Sequence, residues 1–159
     1  MRSYLALLSC MLFPLASQAS TCLDKKNTIS QELYNDEEYK EFICGEEKCT
    51  PEIFSARISI EAIDLGKNLK GCFATPIKKA ENFYTGLYLI QGNKANQQFI
   101  FFGSYLCKTK TINNGHPMLT GEERIDSENK ERYTFKWNGK NYISTSTKPT
   151  HSPGELKCQ

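Results

Sequence analysis

Histidine is almost missing from this chain. There are two in 159 residues, His116 and His151, and no helical i, i+4 spacing joins them. Structural zinc needs four closely arranged ligands, and with no Cys-x-x-Cys the chain offers no set for it. His-Glu-x-x-His, Gly-x-Ser-x-Gly and a glycine-rich phosphate loop are absent as well, so the common metallopeptidase, serine-hydrolase and nucleotide-binding signatures are excluded. Apart from the first residues, no long apolar run occurs, and none reaches the 18 residues of a membrane span. A one-signed charge is lacking too, with 20 basic against 18 acidic residues. That excludes the basic footprint of a nucleic-acid binder. No low-complexity segment, domain linker or repeated βαβ pattern appears, which argues against a Rossmann or barrel fold.

What is present begins with an export signal. Arg2 is the only charge before Asp24, and Tyr4 to Leu15 is almost wholly apolar, interrupted at Pro14. The length suits a signal core and is too short to cross a bilayer. Ser17-Gln18-Ala19 places small residues where a signal peptidase reads, so residues 1–19 read as a cleaved signal and 20–159 as a single exported domain. A lipoprotein cut before Cys10 is the rival reading; it leaves an apolar core of about six residues, below the usual length.

Beyond the signal, six cysteines remain: Cys22, Cys44, Cys49, Cys72, Cys107 and Cys158. An even number in an exported chain reads as three disulfides, among roughly 15 pairings. Cys44 and Cys49 are near enough in sequence to close a local loop. Cys72 with Cys107 as a bridge between strands, and Cys22 with Cys158 as a tie between the chain ends, complete one set among those open.

Asn27-Thr28 caps a predicted helix from Ile29 to Ile43, with a lapse at Asn35-Asp36 that splits it in two. Gly45 suits its end. Alternation then begins: strands are expected over 56–62, 72–77, 83–91, 98–102, 104–111, 118–125, 131–137 and 142–145, with Gly103 as a bend. Asn113 to Pro117 reads as a turn, Asn138-Gly139 as a hairpin signal, and Lys148 to Gly154 as a loop. The fold class is α+β: an N-terminal helical segment followed by a mostly antiparallel sheet of six to eight strands, cross-linked by disulfides.

His116, in a turn beside Pro117, reads as a solvated surface residue. The pairs Glu37-Glu38, Glu46-Glu47 and Glu122-Glu123 read as solvated charges, because neighbours on a helix or strand do not face one another. Asp64 to Gly71 has a calcium-loop flavour, but Lys67 and Lys70 bring positive charge where oxygen ligands are needed, so it reads as a plain turn. No catalytic residue, cofactor or metal is expected.

Charge is unevenly spread. Residues 31–52 carry eight acids against Lys40 and Lys48, a net of −6, while residues 67–159 carry a net of +7. An acidic face beside exposed Tyr34 or Tyr39 suits a basic partner and speeds its capture. The candidate partner-binding residues are Glu37, Glu38, Tyr39, Glu46 and Glu47.

Two segments carry a resemblance. Ile60-Glu61-Ala62-Ile63-Asp64-Leu65-Gly66-Lys67-Asn68, and Asn114-Gly115-His116-Pro117 followed by Tyr133 to Tyr142, resemble the strand-turn units and closing hairpin of small bacterial periplasmic proteins with degenerate FG-GAP-like units. The calcium acids of true FG-GAP loops are missing here. Cys44-Gly45-Glu46-Glu47-Lys48-Cys49 is similar in cysteine spacing to the loop of a vertebrate-lysozyme inhibitor family. The resemblance implies a periplasmic or secreted binding or inhibitory protein, an immunity protein or lysozyme-type hydrolase inhibitor, acting by surface complementarity on a basic hydrolase or toxin. A secreted hydrolase with a site assembled only by the fold, and a secreted effector, are the alternatives.

Overall fold

The computed structural model describes residues 22–150 together with Cys158. The export signal expected over residues 1–19, Cys10 and His151 lie outside the described residues.

Helices α1 (Lys26–Tyr34), α2 (Glu37–Cys44) and α3 (Pro51–Ala56) come first. The lapse at Asn35-Asp36 does split the helical segment: the Asp36 side chain accepts from the Tyr39 backbone N–H and starts α2 afresh. Gly45 ends α2 with φ at 59°, a conformation that costs glycine nothing. Two expectations are corrected here. Helix α1 begins at Lys26 with no side-chain cap, so Asn27-Thr28 is already inside it. The strand expected from Ala56 begins at Ile58, because residues 51–56 form a helix: Thr50 accepts from the Ile53 N–H and Pro51 occupies the first helical turn.

Strands β1 (Ile58–Asp64), β2 (Lys70–Pro76), β3 (Phe83–Gln91) and β4 (Lys94–Gly103) make one antiparallel meander. Strands β5 (Tyr105–Asn113), β6 (His116–Arg124), β7 (Lys130–Trp137) and β8 (Tyr142–Thr150) make a second. The expected single sheet is thus two sheets of four. The division falls at Ser104, whose backbone N–H and hydroxyl both donate to the Glu122 carbonyl, at 2.7 and 2.8 Å. That pair of bonds diverts the chain from the first sheet into the second.

Turn chemistry sets the registers. Asn113 pairs with His116, leaving Asn114-Gly115 as a two-residue hairpin loop with φ of 53° and 80°. Positive φ at both positions is the type I′ requirement. Asn138-Gly139 instead belongs to a four-residue loop between Trp137 and Tyr142, where Asn138 Oδ1 accepts from the N–H groups of Lys140 and Asn141. Of the loop expected from Lys148 to Gly154, residues 148–150 belong to β8, and 151–154 lie outside the described residues. Among the described residues β8 pairs with β7 alone, and such an edge position tolerates Pro149, which has no N–H to donate.

The layers are helices, first sheet, second sheet. Ile29, Leu33, Tyr39, Phe54, Ile58, Ala74 and Tyr88 fill the space between helices and first sheet. Leu65, Leu87, Leu89, Phe101, Leu119, Phe135 and Trp137 fill the space between sheets, where Phe99 and Phe135 stack with centroids 4.5 Å apart. Strand β3 is covered on both faces, so Thr85 to Leu89 are all buried. Each fully buried leucine or phenylalanine contributes roughly 1.5–3 kcal/mol relative to exposure.

The disulfides are Cys22–Cys72, Cys44–Cys49 and Cys107–Cys158. The local pair is as expected; the other two correct the set offered above. Cys72 lies on the helical side of the first sheet. Leu106 points between the sheets, so its neighbour Cys107 points outward from the second. Cys72 and Cys107 therefore face opposite ways and cannot meet. Several disulfides are compatible with an oxidising, exported setting. Among the described residues no helix is long and apolar enough to cross a membrane.

Candidate interaction surface

Helix α2 presents Glu37, Glu38 and Glu41 to solvent, and the loop after it presents Glu46, Glu47 and Lys48. The acids of the first turn also suit the positive end of the helix dipole. The loop is held at several points. Cys44–Cys49 closes it. The Tyr34 hydroxyl donates to the Cys49 carbonyl at 2.9 Å. Arg57 donates to the Ile43 carbonyl at 3.2 Å and to Glu47 at 2.7 Å. A loop fixed in this way loses little conformational freedom when it binds.

The structure brings four of the five expected residues onto this surface. Glu37, Glu38 and Glu46 are exposed acids. Glu47 is exposed but paired with Arg57, whose hydrogen bond and charge hold its carboxyl below the usual range. Tyr39 is a correction: it is fully buried, packs on Phe54, and donates its hydroxyl to the Ala74 carbonyl at 3.2 Å. Burial, then the nearby Asp36 carboxylate, raises its pKa. It lies on the inner face of α2, so it supports the surface from beneath. Tyr34, the other tyrosine expected to be exposed, is half-buried against Phe54.

Beside α2 runs an aromatic edge that sequence reasoning missed. Tyr84 on β3 and Phe102 on β4 are register partners, their rings 4.8 Å apart. Phe42 on α2 meets Tyr84 edge-on at 5.1 Å and lies 6.2 Å from Phe102. Phe102 remains 37% exposed, whereas its neighbour Phe101 is buried between the sheets. The signal for this edge was Phe101-Phe102 itself: adjacent strand residues point to opposite faces, so two consecutive phenylalanines demand a layer on each side. A groove of 410 Å³ continues the surface, with Phe42, Ile43, Pro76 and Ile77 in its apolar part and Glu47, Arg57 and Lys78 as its polar part. Ile77 is 58% exposed.

Elsewhere, two expectations about single residues are corrected. His116 is buried, not solvated: its ring lies 5.1 Å from Trp137 and its Nδ1 is 2.8 Å from the Leu65 carbonyl. Of Glu122-Glu123, Glu122 is buried in the second sheet, bonded to Lys130 at 2.7 Å and to Arg132 at 3.4 Å, while Glu123 accepts from the Tyr133 hydroxyl. Residues 65–69 form a turn in which the preceding Asp64 Oδ1 accepts from the Gly66 N–H, so that carboxylate serves the backbone. A second hollow, 580 Å³ between α1 and α3, is lined mainly by polar side chains such as Asn27, Ser30, Gln31 and Ser55.

The geometry defines the class of protein: a disulfide-linked α+β protein with a helical layer on two antiparallel four-stranded sheets. The chain matches no family model, no curated protein and no solved structure.

Proposed function

We propose that this protein is an exported binding or inhibitory protein, of the immunity or lysozyme-inhibitor kind, that acts by surface complementarity on a basic hydrolase or toxin. One observation carries the reading. The acids of α2 and of the Cys44–Cys49 loop are presented on a loop already fixed by its disulfide, Tyr34 and Arg57. A rigid acidic surface steers a basic partner and spends little on ordering. A hydrolase reading would call on His116, but that residue is buried against Trp137 and lines neither of the two hollows described above.

The test uses oxidised protein spanning residues 20–159. Its binding to basic exported hydrolases, lysozyme first, is measured at low and high salt, alongside inhibition of their activity. The triple variant Glu37→Lys, Glu38→Lys, Glu46→Lys leaves the Glu47–Arg57 pair intact. Binding that weakens with salt and is lost in this variant is the expected result. Unchanged binding in the variant, or no binding to any basic hydrolase tried, would remove the reading.

A further inference from the structure

We infer that the open edge of the Phe42, Tyr84 and Phe102 rings is the anchor point of this surface, and that it receives an arginine side chain of the partner, with Glu38 as its counter-charge. The inference rests on the protein-binding reading above and names what that surface would recognise.

Three observations lead there. The rings form a contiguous group, with centroids 4.8, 5.1 and 6.2 Å apart, that α2 covers only in part. Phe102 is 37% exposed, and Ile77, which shares a groove with Phe42, is 58% exposed, so apolar surface is left open next to the acids of α2. Such sites mark interaction surfaces when polar residues rim them. The α2 side of the rim is acidic, whereas Arg57 and Lys78 line the groove that Phe42 shares with Ile77. Glu38 lies one helical turn from Phe42, and its charge, after burial and together with that of Asp36, raises the pKa of the Tyr84 hydroxyl. The carboxylate is therefore near enough to act on the ring group.

Rings attract cations through their faces, and a carboxylate at their edge adds a second attraction. Both together select a flat cation. A guanidinium stacks on a ring while offering paired N–H groups to a carboxylate, whereas an ammonium presents a compact, strongly hydrated charge. Aromatic and arginine contacts also dominate the energies of protein interfaces.

The probe is a short peptide bearing two arginines, with lysine and citrulline counterparts of the same length, titrated into isotope-labelled protein spanning residues 20–159. Citrulline keeps the shape and removes the charge. The expected result is saturable shifts of the Phe42, Tyr84 and Phe102 ring resonances with the arginine peptide, weaker ones with lysine, and none with citrulline. Phe102→Leu keeps an apolar side chain and the fold but removes the ring, and Glu38→Gln removes the charge. Each is expected to weaken binding roughly 5- to 30-fold, while Lys94→Gln, at the opposite end of the β3–β4 strand pair, leaves it unchanged. Equal response to citrulline, shifts that map elsewhere, or full binding by Phe102→Leu would overturn the inference. A basic hydrolase still captured in a salt-sensitive way by Phe102→Leu would leave the acidic surface standing and remove the anchor. Arginine peptide bound at the rings, with no hydrolase captured, would keep the anchor and remove the inhibitor reading.

Discussion

The Nδ1 of His116 donates to the carbonyl of Leu65 across 51 residues of sequence, at 2.8 Å. The carbonyl can only accept, so Nδ1 carries the proton. This bond joins the β1–β2 turn of one sheet to the first residue of β6 in the other. Its neighbours reinforce the joint. Lys67 donates to the Asn114 carbonyl at 3.2 Å, Asn114 donates to the Trp137 carbonyl at 3.0 Å, and the Tyr142 hydroxyl donates to the Pro117 carbonyl at 2.9 Å. His116→Ala would leave the Leu65 carbonyl without this donor and open a gap beside Trp137. The expected cost is about 1–3 kcal/mol, read as a lowered urea midpoint with an unchanged slope. A loss below about 0.5 kcal/mol, the scale of an ordinary surface change, would show that the joint is held by the other bonds.

Glycine at 121 leaves room for a ring. A Cβ added there would lie 2.6 Å from two carbons of the Phe101 ring, closer than packed atoms approach. The obstacle is space between the sheets, since the position lies outside the left-handed region. Gly121→Ala is expected to cost about 1–3 kcal/mol by overpacking. Adding Phe101→Leu should make the pair less costly than the sum of the two single changes. Strict additivity in thermal melts would contradict this account.

The Glu122 cluster ties stability to acid pH. Burial opposes ionisation of this carboxyl, but the hydrogen bond and charge of Lys130, with bonds from Tyr105 and Arg132, outweigh it and hold the pKa below the usual range. A carboxyl with a lower pKa folded than unfolded stabilises the fold above the unfolded value, about 4.3, and that contribution is lost as pH falls through the folded value. Glu122→Gln should therefore be less stable than the parent by roughly 1–3 kcal/mol at pH 7. The gap should narrow steadily below about pH 4. Denaturant titrations from pH 3 to 8 measure it; a gap constant over that range would remove the assignment.

Disulfide pairing gives two separable effects. Cys22–Cys72 closes a separation of 50 residues and Cys44–Cys49 one of 5. By chain entropy the first is worth about 4 kcal/mol and the second about 2 kcal/mol. Replacing both cysteines of the long pair by alanine should cost the more stability. Replacing both of the short pair should cost less stability but loosen the acidic loop and weaken partner binding. Non-reducing peptide mapping checks the pairs first, and a Cys72–Cys107 peptide would contradict the opposed facing of those side chains.

The positions of most strands were readable because they follow from local backbone chemistry. The apolar run Phe83–Gln91, closed by the turn at Gly92, gave β3 with the bounds the structure has, and Asn35-Asp36 marked the break between α1 and α2. Thr50-Pro51 also carries a legible start signal for α3, a side-chain acceptor followed by proline in the first helical turn. The acidic run 31–52 likewise pointed to the exposed carboxylates of α2 and its loop. The aromatic edge was half-legible: Phe101-Phe102 requires two covered faces, but nothing local says that the second cover is partial.

Sequence alone, then, determined the order of helices and strands, the turn residues and the segregation of charge, since each depends on neighbours a few residues away. Tertiary structure decided the rest: the division into two sheets at Ser104, the burial of Tyr39, His116 and Glu122, and the partners of Cys22, Cys72, Cys107 and Cys158. Each of these depends on a partner distant in sequence, such as the Glu122 carbonyl for Ser104 or the Leu65 carbonyl for His116. A backbone carbonyl is the same chemical group at every residue, so the sequence holds no local mark of which one a distant donor will reach.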